Sequence, residues 1–228
     1  MTATLSSLIA EARNLISDLS GSPEISDDVL TDFINQCIRD LSSKFPRIIE
    51  YTVSTTLNTR IYDLETVHKD IISVEYPTGE DPPEYLKRRA YTHPLFWQQD
   101  GFYDFIKTQD ADSDNPPQIY ISVKPPASKT ITLKVTAEHN PLLDPGDSCT
   151  VDDRHLSLIG LYVRWKVLQY LASAEELNPG ALSGMGKNLE ESGKWAEASY
   201  YTALQLAIKA DSQSASMPWK ADKYDGRY

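Results

Sequence analysis

Four histidines, His68, His93, His139 and His155, are the residues here best suited to proton transfer or metal ligation, and their spacing supports neither. They fall in separate segments, with no i, i+4 pair and no His-Glu-x-x-His grouping to set two imidazoles on one helix face. Each reads as a surface or packing residue. His155 sits in the first turn of an expected helix, where a positive imidazole opposes the helix dipole. Asp110, Asp112 and Asp114 match the Asp-x-Asp-x-Asp start of a calcium loop. The run then continues Asn115-Pro116-Pro117, without the required glycine, the closing glutamate or flanking helices. It reads as a solvated loop. Gly180-Ala181-Leu182-Ser183-Gly184-Met185-Gly186-Lys187 is one residue too long for a Walker A loop, follows a helix and ends on Asn188 in place of Ser or Thr. It reads as a helix–helix connection. Cys37 and Cys149 lie far apart, and Cys37 belongs to an apolar stripe where a thiol acts as a small hydrophobe. A disulfide between them runs against a reducing compartment. No Gly-x-Ser-x-Gly elbow occurs and the carboxylates are scattered, so a hydrolase has no constellation to rest on. No catalytic, cofactor or metal-binding residue is assigned.

Composition narrows the classes further. With 228 residues the chain can bury a real core. No run of 18 apolar residues exists to cross a membrane. The start, Met1-Thr2-Ala3-Thr4-Leu5, lacks the basic and apolar regions of a signal peptide, so synthesis in the cytoplasm is expected. The net charge is −11, and Lys87-Arg88-Arg89 is too short a basic cluster for a nucleic-acid footprint. Such a surface stays soluble and does not hold DNA passing nearby.

The elements that would position any site are helical at both ends and strand-like between. Leu5, Leu8, Ile9, Ala12, Leu15, Ile16 and Leu19 space a helix over 4–19, stopped by Gly21-Ser22-Pro23. Ser26 caps the next helix, with Asp27 and Asp28 in its positive first turn. Its stripe runs Val29, Leu30, Phe33, Ile34, Cys37, Ile38, Leu41 and ends before Pro46. Strands are expected at 48–57, 60–62, 71–76, 85–89, 102–107, 118–123 and 130–138, with a turn at Asn58-Thr59. Strands this short and closely spaced point to a small antiparallel sandwich or barrel. Asp152 or Asp153 can cap a long helix carrying Leu156, Ile159, Tyr162, Val163, Val167, Tyr170 and Leu171. A last helix spans 189–210, with Trp195, Ala198, Thr202, Leu206 and Ile208 spaced for burial. The fold class is therefore α+β. Residues 1–46 plus 150–211 form a helical bundle, 47–149 an inserted β-rich subdomain, and 212–228 a tail.

The tail stands apart. Ser212-Gln213-Ser214-Ala215-Ser216 is poor in apolar residues and reads as a flexible linker. Met217, Trp219, Lys220, Lys223, Tyr224, Arg227 and Tyr228 then combine aromatic anchors with charges opposite to the body, which suits docking on an acidic partner surface. The remaining aromatics crowd the strand block, where packing and subunit contact weigh more than stacking on bases or sugars.

The order of these segments resembles the head-to-tail connector proteins of tailed bacteriophages, also called neck, adaptor or head-completion proteins. The resemblance is carried by the capped helix from Ile25-Ser26-Asp27-Asp28 to Leu41, by Pro116-Pro117-Gln118-Ile119-Tyr120 with Ile121-Ser122-Val123-Lys124-Pro125-Pro126, by the strand Leu133–Glu138 with Asn140-Pro141-Leu142, and by Asp153-Arg154-His155-Leu156 opening the long helix with Tyr162 and Tyr170. Cys37-Ile38 departs from the small residue usual at that helix position. The resemblance covers about residues 5–210. It implies a structural virion protein, not an enzyme, in a ring of about twelve copies. That ring would sit beneath the portal protein and let packaged DNA pass unbound. On its far side it would meet the next neck or tail protein. Two alternatives stand beside it: another ring component, such as a stopper or tail terminator, or a β-domain that binds glycan or host surface through its aromatics.

Overall fold

The computed structural model describes residues 3–16, 25–107, 115–177 and 186–215. They form an α+β fold with two compact units, one drawn from Met1–Lys44 and Asn140–Tyr228, the other from Phe45–His139.

The first unit holds four helices, α1 (Leu5–Ile16), α2 (Asp27–Lys44), α3 (Leu156–Leu177) and α4 (Gly186–Ala215). Leu5, Leu8 and Ala12 bury one face of α1. The Ser26 hydroxyl accepts from the Val29 amide at 3.4 Å, Asp27 and Asp28 occupy the first turn, and Leu30, Ile34, Cys37, Ile38 and Leu41 are buried. Arg13 joins α1 to the start of α2, donating to Asp27 at 2.6 Å and to the Ile25 carbonyl at 3.1 Å. Phe33, expected in the core, is only half-buried beside the exposed Tyr170, at 6.4 Å between ring centroids. The face of α2 that closes the core is rotated toward Ile34 and Cys37.

Asp152 caps the 3-10 turn Asp153–His155 that leads into α3, accepting from the Arg154 amide at 3.0 Å. Helix α3 packs against each of α1, α2 and α4. The segment returning from the strands completes this unit. Asn35 makes paired 2.8 Å hydrogen bonds with the backbone of the buried Leu142, and the Leu5 and Ser6 amides reach the Asp147 and Pro145 carbonyls at 3.1 Å. Tyr200 of α4 is fully buried and donates to the Asp40 carboxylate of α2 at 2.5 Å. Its ring stacks on Trp165 at 6.0 Å and meets Tyr162 edge-on at 5.2 Å. Burial, reinforced by the bond to Asp40, pushes the Tyr200 pKa well above the usual phenol range, so the hydroxyl keeps the proton it donates.

The second unit is one seven-stranded sheet: β1 (Arg47–Ser54), β2 (Ile61–Asp63), β3 (His68–Glu75), β4 (Tyr85–Arg88), β5 (Phe102–Ile106), β6 (Gln118–Ile121) and β7 (Thr130–Ala137), in the order β1-β7-β3-β4-β5-β6-β2. All seven lie where spacing places them. Asn58 has φ 59, in the left-handed region expected of the turn before β2. The arrangement differs from the expected antiparallel sandwich or barrel: the sheet is mixed, because β4 and β5 run parallel. A parallel neighbour needs a crossover of about a dozen residues, and the chain between Arg89 and Gly101 supplies it. Alternation along β5, β6 and β7 sends Tyr103, Phe105, Ile119, Ile121, Ile131, Leu133 and Val135 to one core. That core also takes Tyr62 from β2 at one edge and, partly buried, Ile49, Tyr51 and Val53 from β1 at the other. A sheet whose two edges share a core must curl. His139 bonds the Phe45 carbonyl at 2.8 Å and so ties the end of β7 to the entry of β1. His68 is buried edge-on against Tyr51 at 4.7 Å, and burial lowers its pKa, which makes it a neutral packing residue.

Three substitutions test this packing. Ile34→Asp places an unpaired charge in a closed core and should cost about 4 kcal/mol or more, abolishing soluble folding. Phe33→Asp should cost only about 1 kcal/mol, read as a small shift of the urea midpoint. Tyr200→Phe leaves Asp40 without its buried donor and should lower stability by about 1–3 kcal/mol in the same assay, with little change of shape.

Candidate assembly surfaces

The last helix turns its large residues outward. Its buried stripe is Leu189, Gly193, Tyr200 and Leu204, flanked by the half-buried Ala196, Ala203 and Ala207, so small side chains let α4 lie close to α3. The residues expected to be buried are instead exposed: Trp195 at 75 %, Leu206 at 64 %, and also Ala198, Thr202 and Ile208. Tyr201 is exposed as well, on the other flank of α4 and 5.7 Å from the Trp165 ring. Trp195 stands on the rim of a shallow groove of about 230 Å³ that it lines with Leu161, Arg164, Ser192, Ala196 and Ser199. Glu190 pairs with Lys194 at 2.6 Å, while Glu191 and Glu197 add negative charge along the N-terminal half. An exposed apolar face of this kind, rimmed by charge, marks an interaction surface.

The β-rich unit carries a second surface. Residues 90–101 fold in turns over the outer face of β5 and β6, with the Phe96 amide bonding the His93 carbonyl at 2.9 Å and the Phe96 ring fully buried. This anchors Trp97, which lies 4.8 Å from Phe96 and 6.4 Å from Tyr120 of β6, while Tyr91 packs on the other side of Tyr120 at 4.9 Å. The Arg60 guanidinium sits 5.3 Å from the Trp97 ring and Arg89 lies 3.9 Å over Phe102. Arg60 Nε and Arg89 Nη1 are buried with no hydrogen-bond acceptor among the described residues. Asp104, opposite Tyr120, gives its two oxygens to the Tyr91 and Phe105 amides at 2.9 Å. Trp97, Tyr91, Leu95 and Ile61 remain exposed around this arginine–aromatic shelf. Residues 60, 89–97, 102–104 and 120 come from distant parts of the sequence, so no local pattern announces their meeting.

The docking residues expected in the tail, Met217, Trp219, Lys220, Lys223, Tyr224, Arg227 and Tyr228, lie outside the described residues, as do Asp110, Asp112 and Asp114. So do Gly180–Met185. Gly186, expected in the connection, instead opens α4. The segment from Ser212 to Ala215, expected to be a linker, is helical, and α4 is held near that end by Asp211, which meets Arg154 at 3.2 Å and the buried His155 at 3.4 Å. His93 is exposed. Among the described residues no group of three or more His, Cys, Asp or Glu could hold a metal, and no helix is long and apolar enough to cross a membrane. Both cysteines are free and buried.

Comparison with known proteins agrees with a part made for contact. The sequence model described as "SU10 adaptor protein" matches residues 3–222, which takes in all four helices and all seven strands. No curated protein matches the chain. The chain belongs to the SU10 adaptor protein family, a family of bacteriophage head-to-tail adaptors with a structural role.

Proposed function

We propose that the chain is a virion neck protein that forms a ring of about twelve copies beneath the portal. The ring continues the DNA channel and presents its other side to the next neck or tail protein. The observation that carries this is the family match over residues 3–222. It is supported by aromatic residues that the chain leaves exposed in both units. The helical unit and the β-rich unit are the two bodies of the subunit, and residues 216–228, after the end of α4, are its docking tail. In that tail Trp219, with Met217, Tyr224 and Tyr228, anchors on the portal, and Lys220, Lys223 and Arg227 answer an acidic groove. Ordering such a segment costs entropy, so attachment depends on a few anchors. The net charge of −11 keeps the packaged DNA from adhering as it passes, since duplex affinity comes from clustered cations.

Immunogold labelling of virions should place the chain between capsid and tail; label on the capsid shell or tail tip would contradict the reading. Removing residues 216–228 should leave a soluble protein with unchanged circular dichroism and thermal midpoint that no longer joins portal-bearing heads. If the truncated chain still completes heads, the docking role lies elsewhere in the chain.

A further inference from the structure

We propose that His68 is a pH-sensitive fastening of the β-rich unit, which holds one end of β1, β7 and β3 together at neutral pH and lets that end open on acidification. The ring stands where the sheet has no place for a charge. Register sets Arg47 of β1, Ala137 of β7 and His68 of β3 abreast, so their side chains share one face of the sheet, with about 10 Å between the outer two backbones. Only the methyl group of the fully buried Ala137 stands between them on the middle strand. Tyr51, on the same face of β1, meets the imidazole edge-on at 4.7 Å between centroids. The His68 residue is 1 % exposed, and neither ring nitrogen has a hydrogen-bond partner among the described residues. The strand end that carries the ring is held by its backbone: the His68 amide donates to the Glu65 carbonyl at 3.0 Å and the Glu138 amide to the Val67 carbonyl at 3.3 Å.

The groups around the ring decide what a proton would do there. From β1, Arg47 brings a guanidinium whose own Nε is buried without an acceptor among the described residues. Glu65, in the turn before β3, pulls the other way, but it is exposed and burial outweighs it. Beside the end of β7, Glu138 is already paired with Lys69, and His139 is bound to the Phe45 carbonyl. A neutral imidazole packs in this corner. An imidazolium would be a second buried cation near Arg47, with two N–H groups and no acceptor for either. An opened strand end carries no such cost. Below about pH 6.5 its His68 takes up a proton that the closed sheet refuses, so acid favours opening. The fastening is therefore complete above that pH and is lost progressively below it.

Amide hydrogen exchange of the full chain, followed from about pH 7 to about pH 5, tests the switch. Once the intrinsic pH dependence of exchange is removed, the opening constant of the β1, β3 and β7 amides should rise about threefold or more over that range. His68→Phe keeps a ring for Tyr51 to pack on and removes the nitrogens, so it should abolish most of that rise. An equal rise in both proteins, or no rise in the unsubstituted chain, would overturn the proposal. Imidazole NMR of the unsubstituted chain gives a second reading that needs no variant. The ring in contact with Tyr51 should stay neutral through the ordinary histidine range and take its proton only as the β1 and β3 amides lose protection. A His68 ring that charges near pH 6.5 while those amides stay protected would overturn the proposal even if His68→Phe failed to fold.

Discussion

Helix α3 has little side to give to water, and the helical unit is arranged around that constraint. Leu158, Ile159, Val163, Trp165, Val167, Leu168 and Leu171 are buried and lie around most of its circumference. A helix that is apolar nearly all round must be enclosed by partners. Helices α1, α2 and α4 provide the enclosure, each giving one stripe. The approach of α1 is close: a Cβ added at Gly160 would stand 2.9 Å from Leu15 Cδ1, so only glycine fits there without something moving. The polar links then fix the partners where burial places them. Arg13 holds α2 to α1, Asn35 holds the returning segment, and Tyr200 reaches Asp40. Because α4 gives α3 a stripe of small residues around Tyr200 and Leu204, Trp195, Leu206 and Ile208 are left on the outside.

The β-rich unit meets the burial problem differently. A curled sheet closes its inner face on itself, and the outer face of β5 and β6 is then the part left open to water. The crossover between Arg89 and Gly101 partly covers it by seating Phe96 there. The crossover is a consequence of the parallel β4–β5 pair. The same stretch that permits that pairing also brings Tyr91 and Trp97 onto Tyr120. Topology and surface chemistry are therefore one feature here: an antiparallel hairpin at this point would need only a short turn and would carry no aromatic cover.

How much of this could be read in the chain depended on whether the signal was local. The α1–α2 pair, the Ser26 and Asp152 caps and all seven strands are local patterns, and they stand where the sequence places them. Strand periodicity carries no information on direction, so the parallel pair was invisible. Helix α4 was read in the wrong phase for a physical reason. Spacing weights the large apolar residues Trp195, Leu206 and Ile208, whereas close helix packing selects the stripe of Gly193, Ala196, Ala203 and Ala207 around Tyr200 and Leu204. Phe33 misled in the same way, by size. The family resemblance was legible from segment order, but segment order carries no surface geometry, and the shelf is assembled from residues 60, 89–97, 102–104 and 120.

The displaced titratable groups among the described residues are fixed in their charge by their surroundings. Catalytic side chains are tuned toward neutral pH so that they can gain and lose a proton during turnover. In the described part of this protein the displaced groups all move the other way. Burial raises the thiols of Cys37 and Cys149, raises Tyr200 and carries Tyr162 up to about 12. Arg154 draws Asp152 down to about 2, and burial lowers His68, whose ordinary value already lies below 7. Each group is thus held more firmly in the form it already has at pH 7.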